Sequence, residues 1–143
     1  MSKAFSLKDF PAQAYDKIRY GDTDRQGHVN NAVFATYFET GRVESLISID
    51  PPVLSEGTSF VLASINIQLK AELLWPGNVD IGTRITRVGK SSMGVEQALF
   101  QNGRCAAIAE SAIVQVDINT KRSTPFTESA LDRINALMEV SYK

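Results

Sequence analysis

The spacing of apolar residues in this 143-residue chain changes near residue 57, and that change restricts the fold more than any other feature. Beyond it, apolar and polar residues alternate, which is the pattern of half-buried β-strands. The first such segment, SFVLASINIQLKAEL, places these apolar residues on one face: Val61, Ala63, Ile65, Ile67 and Leu69. Three more segments follow at 78–89, 92–101 and 104–118, and Asn102-Gly103 is a pair typical of two-residue hairpin turns. We therefore predict four long antiparallel strands in meander order.

Before residue 57 the apolar spacing is helical, from Asn31 to about Ile49. The first half of this segment is apolar on nearly every side, and such a helix must be covered on every side. We expect it to enter the core at its N-terminal end, with Asn30 or Asn31 as its cap. A short first strand is predicted at 14–20, and a C-terminal helix at about 127–140 with Thr127 as its cap.

These elements give a strand–helix–four-strand order in one domain, residues 1–143. One long buried helix and an antiparallel sheet cover each other only if the sheet curls around the helix, so we predict an α+β fold. The sheet then has exposed edge strands and an exposed outer face. Pairing with a second copy follows from that exposure, as a two-fold homodimer or a dimer of dimers.

Charge and composition disfavour several classes of protein. Fifteen Lys and Arg against sixteen Asp and Glu leave a net charge of −1 without a basic cluster, so nucleic acid is not the expected partner. One cysteine, Cys105, forms no internal disulfide, and one histidine falls short of the usual zinc ligand set, so we expect no metal or other cofactor. The start has no segment of signal-peptide type, and nothing approaches the roughly 18 apolar residues of a membrane span, so a cytoplasmic protein is expected.

The loop before the helix, GDTDRQGHVNN, concentrates polar groups into ten residues, from Asp22 to Asn31. In isolation its Asx residues are typical of turns and helix caps, and Asp22 is predicted to be structural. The alternative is a reaction site. A carboxylate over a helix start provides a nucleophile or a base, and the unpaired N–H groups of the first helical turn stabilise an oxyanion.

The order of elements and the stretch YGDTDRQGHVNN together resemble the hotdog-fold acyl-CoA thioesterases, specifically the 4-hydroxybenzoyl-CoA thioesterase-like family. The match covers nearly the whole chain and is sharpest at residues 22–31, with weaker similarity at LLWPGNVDIGTRI and GKSSM. The resemblance implies hydrolysis of an acyl-CoA thioester, with Asp24 as nucleophile or general base and His28 as a second catalytic residue. The related plant acyl-carrier-protein thioesterases carry an asparagine where this chain has Gln26, so the resemblance assigns Gln26 no role.

Other residues are predicted to bind the substrate. Gly27 permits close approach of the backbone, Asn30 and Asn31 position the helix start, and the remaining candidates are aromatic or near the expected CoA arm: Tyr37, Phe38, Lys90, Ser91 and Ser92. Some hotdog thioesterases use a glutamate further along the helix, for which Glu39 or Glu44 is the counterpart here. A hotdog enoyl-CoA hydratase or dehydratase, a non-catalytic acyl-CoA-binding module and a purely structural dimeric domain remain the competing interpretations. The acyl group, and the choice between CoA and acyl-carrier protein, stay open.

Overall fold

The computed structural model describes residues 6–138. Its strands are β1 (Ala12–Lys17), β2 (Thr58–Leu69), β3 (Asn78–Val88), β4 (Ser92–Gln101) and β5 (Arg104–Asp117), and its helices are α1 (Val33–Leu46) and α2 (Glu128–Ala136). Two short 3-10 turns, Leu7–Asp9 and Tyr20–Asp22, precede β1 and α1. The α+β fold class and the predicted order of elements are therefore confirmed. Thr127 caps α2 as predicted, through a hydrogen bond from Ala130 N to its hydroxyl oxygen, and the predicted end of that helix at residue 140 lies outside the described residues.

The five strands form one antiparallel sheet in the order β1-β3-β4-β5-β2. The predicted meander is correct for β3, β4 and β5 but wrong for β2, which pairs with β5 and not with β3. The connection at 70–77 crosses from one side of the sheet to the other instead of forming a hairpin. On the way, Leu73 O accepts a hydrogen bond from Val29 N, so the connection lies against the polar loop.

A β-bulge changes which side chains of β2 face the helix side of the sheet. Between the pairs Leu62–Ile113 and Ile65–Ser111, β2 advances three residues while β5 advances two. Because alternate strand residues point to opposite faces, the extra residue reverses the alternation. Ile65, Ile67 and Leu69 share a face as predicted, but N-terminal to the bulge that face continues through Leu62 and not through Val61.

Helix α1 packs against β1, β3 and β4 and makes few contacts with β2. Its buried residues recur at helical spacing: Phe34, Tyr37, Phe38, Gly41, Ser45 and Leu46. The opposite stripe, including Ala32, Ala35, Thr36 and Glu39, is exposed. The prediction that the helix is covered on every side therefore does not hold within one chain. On the exposed stripe, Glu39 shares a cavity with Phe60 and Leu62 of the edge strand β2.

Three glutamines on the covered face of the sheet are buried and attach the sheet to neighbouring segments. Gln97 Nε2 donates to Phe38 O in α1 at 3.0 Å and to Thr83 Oγ1 at 3.0 Å. Gln115 Nε2 donates to the carbonyl oxygens of Thr124 and Pro125. Gln101 both donates to Leu74 O and accepts from Leu74 N, each at 2.9 Å. A buried amide is stable only when its donors and acceptors are satisfied, so each pairing restricts the position of the segment it contacts.

Within residues 6–138, no helix is long and apolar enough to cross a membrane.

Candidate active site

The polar loop is closed on itself by its own backbone. Asp24 N donates to His28 O at 2.8 Å, and Gly27 N donates to Asp24 O at 3.2 Å. Gly27 has a φ of 81°, in the left-handed region where a residue without Cβ is least strained. The loop is also attached to the 70–77 connection through the β-bridge between His28 and Leu74. Because Gln101 hydrogen-bonds to Leu74, it holds the loop indirectly.

Asp22 holds the loop to the helix. Its Oδ2 accepts hydrogen bonds from Tyr37 Oη at 2.7 Å and from Arg19 N at 2.9 Å, and its carbonyl oxygen accepts from Asn30 N. Burial, and then the neighbouring Asp22 carboxylate, raise the pKa of the Tyr37 phenol well above its usual value, so this hydroxyl remains a donor. Asp22 thus makes the contacts of the structural residue that the sequence predicts.

Asp24 is exposed and keeps one carboxylate oxygen available. Its Oδ1 accepts from Gln26 N at 2.8 Å and from His28 N at 3.4 Å, which fixes the direction of the side chain. Its Oδ2 takes no hydrogen bond from the part of the chain that the structure describes. The same carboxyl group is therefore anchored by one oxygen and open to a ligand by the other.

The turn before α1 has an available backbone donor. The predicted cap at Asn30 or Asn31 is wrong for the helix itself, because α1 begins at Val33 and its N-cap position, Ala32, has no side-chain cap. Asn30 Oδ1 instead accepts from Ala32 N at 3.0 Å within the preceding turn, and the carbonyl oxygens of Asn30 and Asn31 accept from Val33 N and Phe34 N. These bonds occupy N–H groups that the sequence analysis expected to be unpaired. The backbone N–H of Asn31 donates no hydrogen bond within residues 6–138, and Asn31 lines the same cleft as Asp24. The candidate oxyanion donor is therefore the N–H of Asn31, between Asn30 and Ala32 in the turn that precedes α1.

A cleft of roughly 560 Å³ brings the candidate groups together. This is within the range of small-molecule sites, about 300–1,000 Å³. From the loop and the helix start it is lined by Asp24, Gln26, His28, Val29, Asn31 and Phe34, and from the sheet by Leu69, Lys70, Ala71, Glu72 and Arg104. His28 Nε2 lies 3.4 Å from Glu72 Oε2. The cleft thus combines a free carboxylate, an imidazole, an amide donor, two cations and an apolar wall.

Other predicted substrate residues do not line this cleft, and Gly27 and Asn30 reach it only through their neighbours in the loop. Tyr37 and Phe38 lie in the core and do not line the cleft, whereas Phe34, equally buried at 2% exposure, is the aromatic residue that borders it. Lys90, Ser91 and Ser92 form the turn between β3 and β4, where Gly89 N donates to Ser92 O. Gln101, at the other end of β4, contacts the connection under the loop, and a strand of this length spans about 30 Å. One chain alone does not place Lys90, Ser91 and Ser92 beside Asp24.

The two alternative glutamates are also outside the cleft. Glu39 is exposed on the second turn of α1 and lines a separate cavity of about 150 Å³ with Arg42 and Leu46. Glu44 lines another cavity, near Arg133 of α2. Neither carboxylate shares a cavity with His28 or Asn31, so the geometry favours Asp24 over both.

Sequence reasoning missed Glu72 and Arg104 as residues of this site, and it missed the cleft position of Phe34. Glu72 and Arg104 reach the cleft because the 70–77 connection crosses the end of the sheet, which no local pattern in the sequence reveals. No three or more His, Cys, Asp or Glu side chains are grouped as a metal site anywhere in residues 6–138.

Comparison with known proteins places this geometry in a family context. Residues 18–134 match the thioesterase-like superfamily. A thioesterase from Thermus thermophilus, crystallised with coenzyme A and zinc, is 34% identical over 90% of this chain and 95% of its own, with a TM-score of 0.77. A Pseudomonas aeruginosa protein, at 24% identity over 96% and 98% of the two chains, has a TM-score of 0.84 and supports the fold alone. The DHNA-CoA thioesterase of Staphylococcus aureus is 17% identical over 88% of this chain and 91% of its own, with a TM-score of 0.77, and it also supports the fold alone. No curated protein shows a significant match to the chain.

Proposed function

The chain belongs to the thioesterase-like superfamily, and from that membership we propose that it hydrolyses an acyl-CoA thioester to a free acid and CoA. One observation carries the proposal. Asp24, with one carboxylate oxygen free of hydrogen bonds, His28, and Asn31, with a backbone N–H that donates to no described residue, line a single cleft at the start of α1. The similar Thermus thermophilus thioesterase was crystallised with coenzyme A, which supports CoA as the thiol carrier.

Asp24 is the proposed catalytic carboxylate. In one route its Oδ2 attacks the thioester carbonyl carbon to give an acyl-anhydride, which water then hydrolyses; in the other it takes a proton from the water that attacks. The hydrogen bonds to Oδ1 from Gln26 N and His28 N orient the carboxylate in either route. Both routes end with the carbon–sulfur bond broken and the acid released.

Two neighbouring groups complete the proposed chemistry. The backbone N–H of Asn31 donates to the carbonyl oxygen as negative charge develops there. His28 hydrogen-bonds to the substrate carbonyl or gives a proton to the departing thiolate sulfur. Gly27 lies in the loop between two cleft residues, Gln26 and His28, and its left-handed backbone conformation allows the turn that holds them.

In this proposal the acyl group and the CoA moiety of the substrate lie against different walls of the cleft. Phe34 and Leu69 provide apolar surface for the acyl group. Lys70 and Arg104 place positive charge beside the anionic CoA. Tyr37 and Phe38 act from within the core, where Tyr37 holds Asp22 and Phe38 O is held by Gln97.

In a two-fold dimer, Lys90, Ser91 and Ser92 of one chain would lie near the cleft of the other. Strand β2 is an edge strand of twelve residues with exposed Val61, Leu62 and Leu69, and edges of this kind readily pair with another chain. Antiparallel pairing of β2 with its copy brings the Leu69 end of one chain beside the Thr58 end of the other. Because the Lys90 turn lies at the Thr58 end of the sheet, the partner would supply that turn to the cleft for the CoA arm.

The experiment is thiol release from a panel of acyl-CoA thioesters, short aliphatic, long-chain and aromatic, at fixed protein concentration. Hydrolysis of at least one class, well above the rate without protein, is the expected result. Hydration of an enoyl-CoA to a 3-hydroxyacyl-CoA without thiol release would contradict the proposal in favour of a hydratase. Binding of CoA thioesters without turnover would contradict it in favour of a binding module.

A further inference from the structure

Glu72 is a cleft carboxylate that the proposed mechanism does not use. It is the third residue after β2, in the connection that crosses the end of the sheet, and the distance from its Oε2 to His28 Nε2 is 3.4 Å. Its side chain is 59% exposed and that of His28 is 33% exposed. Exposed ion pairs contribute only about 0–1 kcal/mol to stability, so the fold gains little from this pair.

The backbone around Glu72 is nevertheless held firmly. Arg104 Nη2 donates to Glu72 O at 3.0 Å, and the next residue, Leu73, is fully buried and accepts from Val29 N at 2.9 Å. Upstream, Lys70 N and Ala71 N both donate to Ala106 O. The carboxylate therefore extends from a backbone that is fixed on both sides.

The histidine is held by the same connection. Val29 N, one residue after His28, donates to Leu73 O, one residue after Glu72, and His28 is bridged to Leu74. The backbones on the two sides of the 3.4 Å contact are thus joined to each other. Any displacement of the ring from the carboxylate requires rotation of the side chains and not movement of the loop.

We infer that Glu72 is a positioning residue that acts on the reaction through His28, an inference that rests on the proposed thioesterase activity. A carboxylate facing one ring nitrogen of a histidine fixes the orientation of the ring and leaves the other nitrogen for the substrate. With Glu72 at Nε2, Nδ1 is the atom of His28 left to exchange a proton or a hydrogen bond in the cleft. Glu72 itself touches neither the thioester nor the attacking water.

The kinetic test compares Glu72→Gln, His28→Gln and the double variant on the best thioester, with Glu110→Gln as the matched control. Glu110 is an exposed carboxylate in the middle of β5 and is absent from the cleft. We expect Glu72→Gln to lower kcat about tenfold at nearly unchanged KM, as for a misplaced acid–base group. In the His28→Gln background the same change has less than about a twofold effect, because Glu72 has nothing left to act on. Glu72→Asp, which keeps the charge, recovers part of the loss.

Activity of Glu72→Gln equal to that of Glu110→Gln would overturn the inference. So would an equal loss in both histidine backgrounds, since Glu72 would then act independently of His28, or a rise in KM at constant kcat.

A second measurement separates this inference from the proposed function. The chain has one histidine, so its imidazole NMR signals need no assignment among several rings. Glu72→Gln is expected to move the Nε2 resonance, and Glu110→Gln is expected to leave it in place. An unmoved resonance means that the contact is absent and the inference fails even if the protein hydrolyses thioesters. A moved resonance in a protein that hydrolyses no thioester rejects the proposed function, and with it the role of Glu72.

Discussion

Gly41 is the position where a single methyl group should be most damaging to the packing of α1. A glycine inside a helix costs about 0.8–1.0 kcal/mol relative to alanine, so Gly41→Ala would stabilise an isolated helix by that amount. In the structure, a Cβ at this position would lie 2.5 Å from Ile81 Cγ2, 2.8 Å from Gln97 Nε2 and 3.1 Å from Thr83 Oγ1. The helix approaches the sheet too closely for a side chain here.

The expected cost exceeds the gain in helix propensity. Overpacking a core by one methyl group costs about 1–3 kcal/mol. Displacing Gln97 would also break its bonds to Phe38 O and Thr83 Oγ1, and a buried polar group left unsatisfied costs about 1–3 kcal/mol. We therefore expect Gly41→Ala to lower the free energy of unfolding by about 1–5 kcal/mol, or Tm by about 3–17 °C in a domain of this size.

Urea unfolding at a fixed protein concentration measures this difference. The control is Thr36→Ala, on the exposed stripe of α1, and it should be neutral or slightly stabilising. Removing the nearest clashing atoms with Ile81→Ala should make the double variant less destabilised than the sum of the two single variants. If Gly41→Ala is as stable as the wild type, the close approach of α1 to the sheet is wrong.

Three further predictions concern the supports of the site. Tyr37→Phe removes the hydrogen bond to the Asp22 carboxylate and should lower stability by about 1.5–3 kcal/mol in chemical denaturation, and an unchanged midpoint would argue against this link between helix and loop. Gln101→Met removes both hydrogen bonds to the Leu74 backbone, so a loss of about 2 kcal/mol together with a lower kcat is expected. A normal kcat in the folded variant would show that the Gln101–Leu74 pairing does not position the loop. Burial raises the pKa of the Cys105 thiol, so less reactive thiolate is present at about pH 8 in the folded protein than in urea; iodoacetamide should modify it more slowly when folded, and equal rates would contradict this.

The sequence predicts much of this architecture because its strongest patterns are local. The alternation after residue 57 locates four strands, the polar loop marks the start of α1, and Thr127 is correctly identified as the cap of α2. The predictions that failed depend on non-local pairing. The path of the 70–77 connection decides which strand pairs with β2. A bulge that reverses the alternation decides which face of the sheet Val61 lies on.

The same distinction applies to the site. Asp24, His28 and Asn31 are neighbours in sequence, and the structure brings them to one cleft. Glu72 and Arg104 come from distant parts of the chain and join the cleft only through the topology of the sheet. The burial of Tyr37 and Phe38 depends on which face of α1 meets the sheet, which a helix apolar on nearly every side does not reveal.

The measurement that tests the account most directly is kcat for Asp24→Asn on the best acyl-CoA substrate, beside wild type and the control Asp132→Asn. Asp132 is exposed on α2, far in sequence from the loop, so its variant carries the same change of charge away from the cleft. Loss of the nucleophile or base predicts that Asp24→Asn lowers kcat by about two orders of magnitude or more while the variant stays folded and Asp132→Asn keeps wild-type activity. If folded Asp24→Asn retains the kcat of the wild type, the carboxylate at 24 does not carry the reaction and the central claim is contradicted.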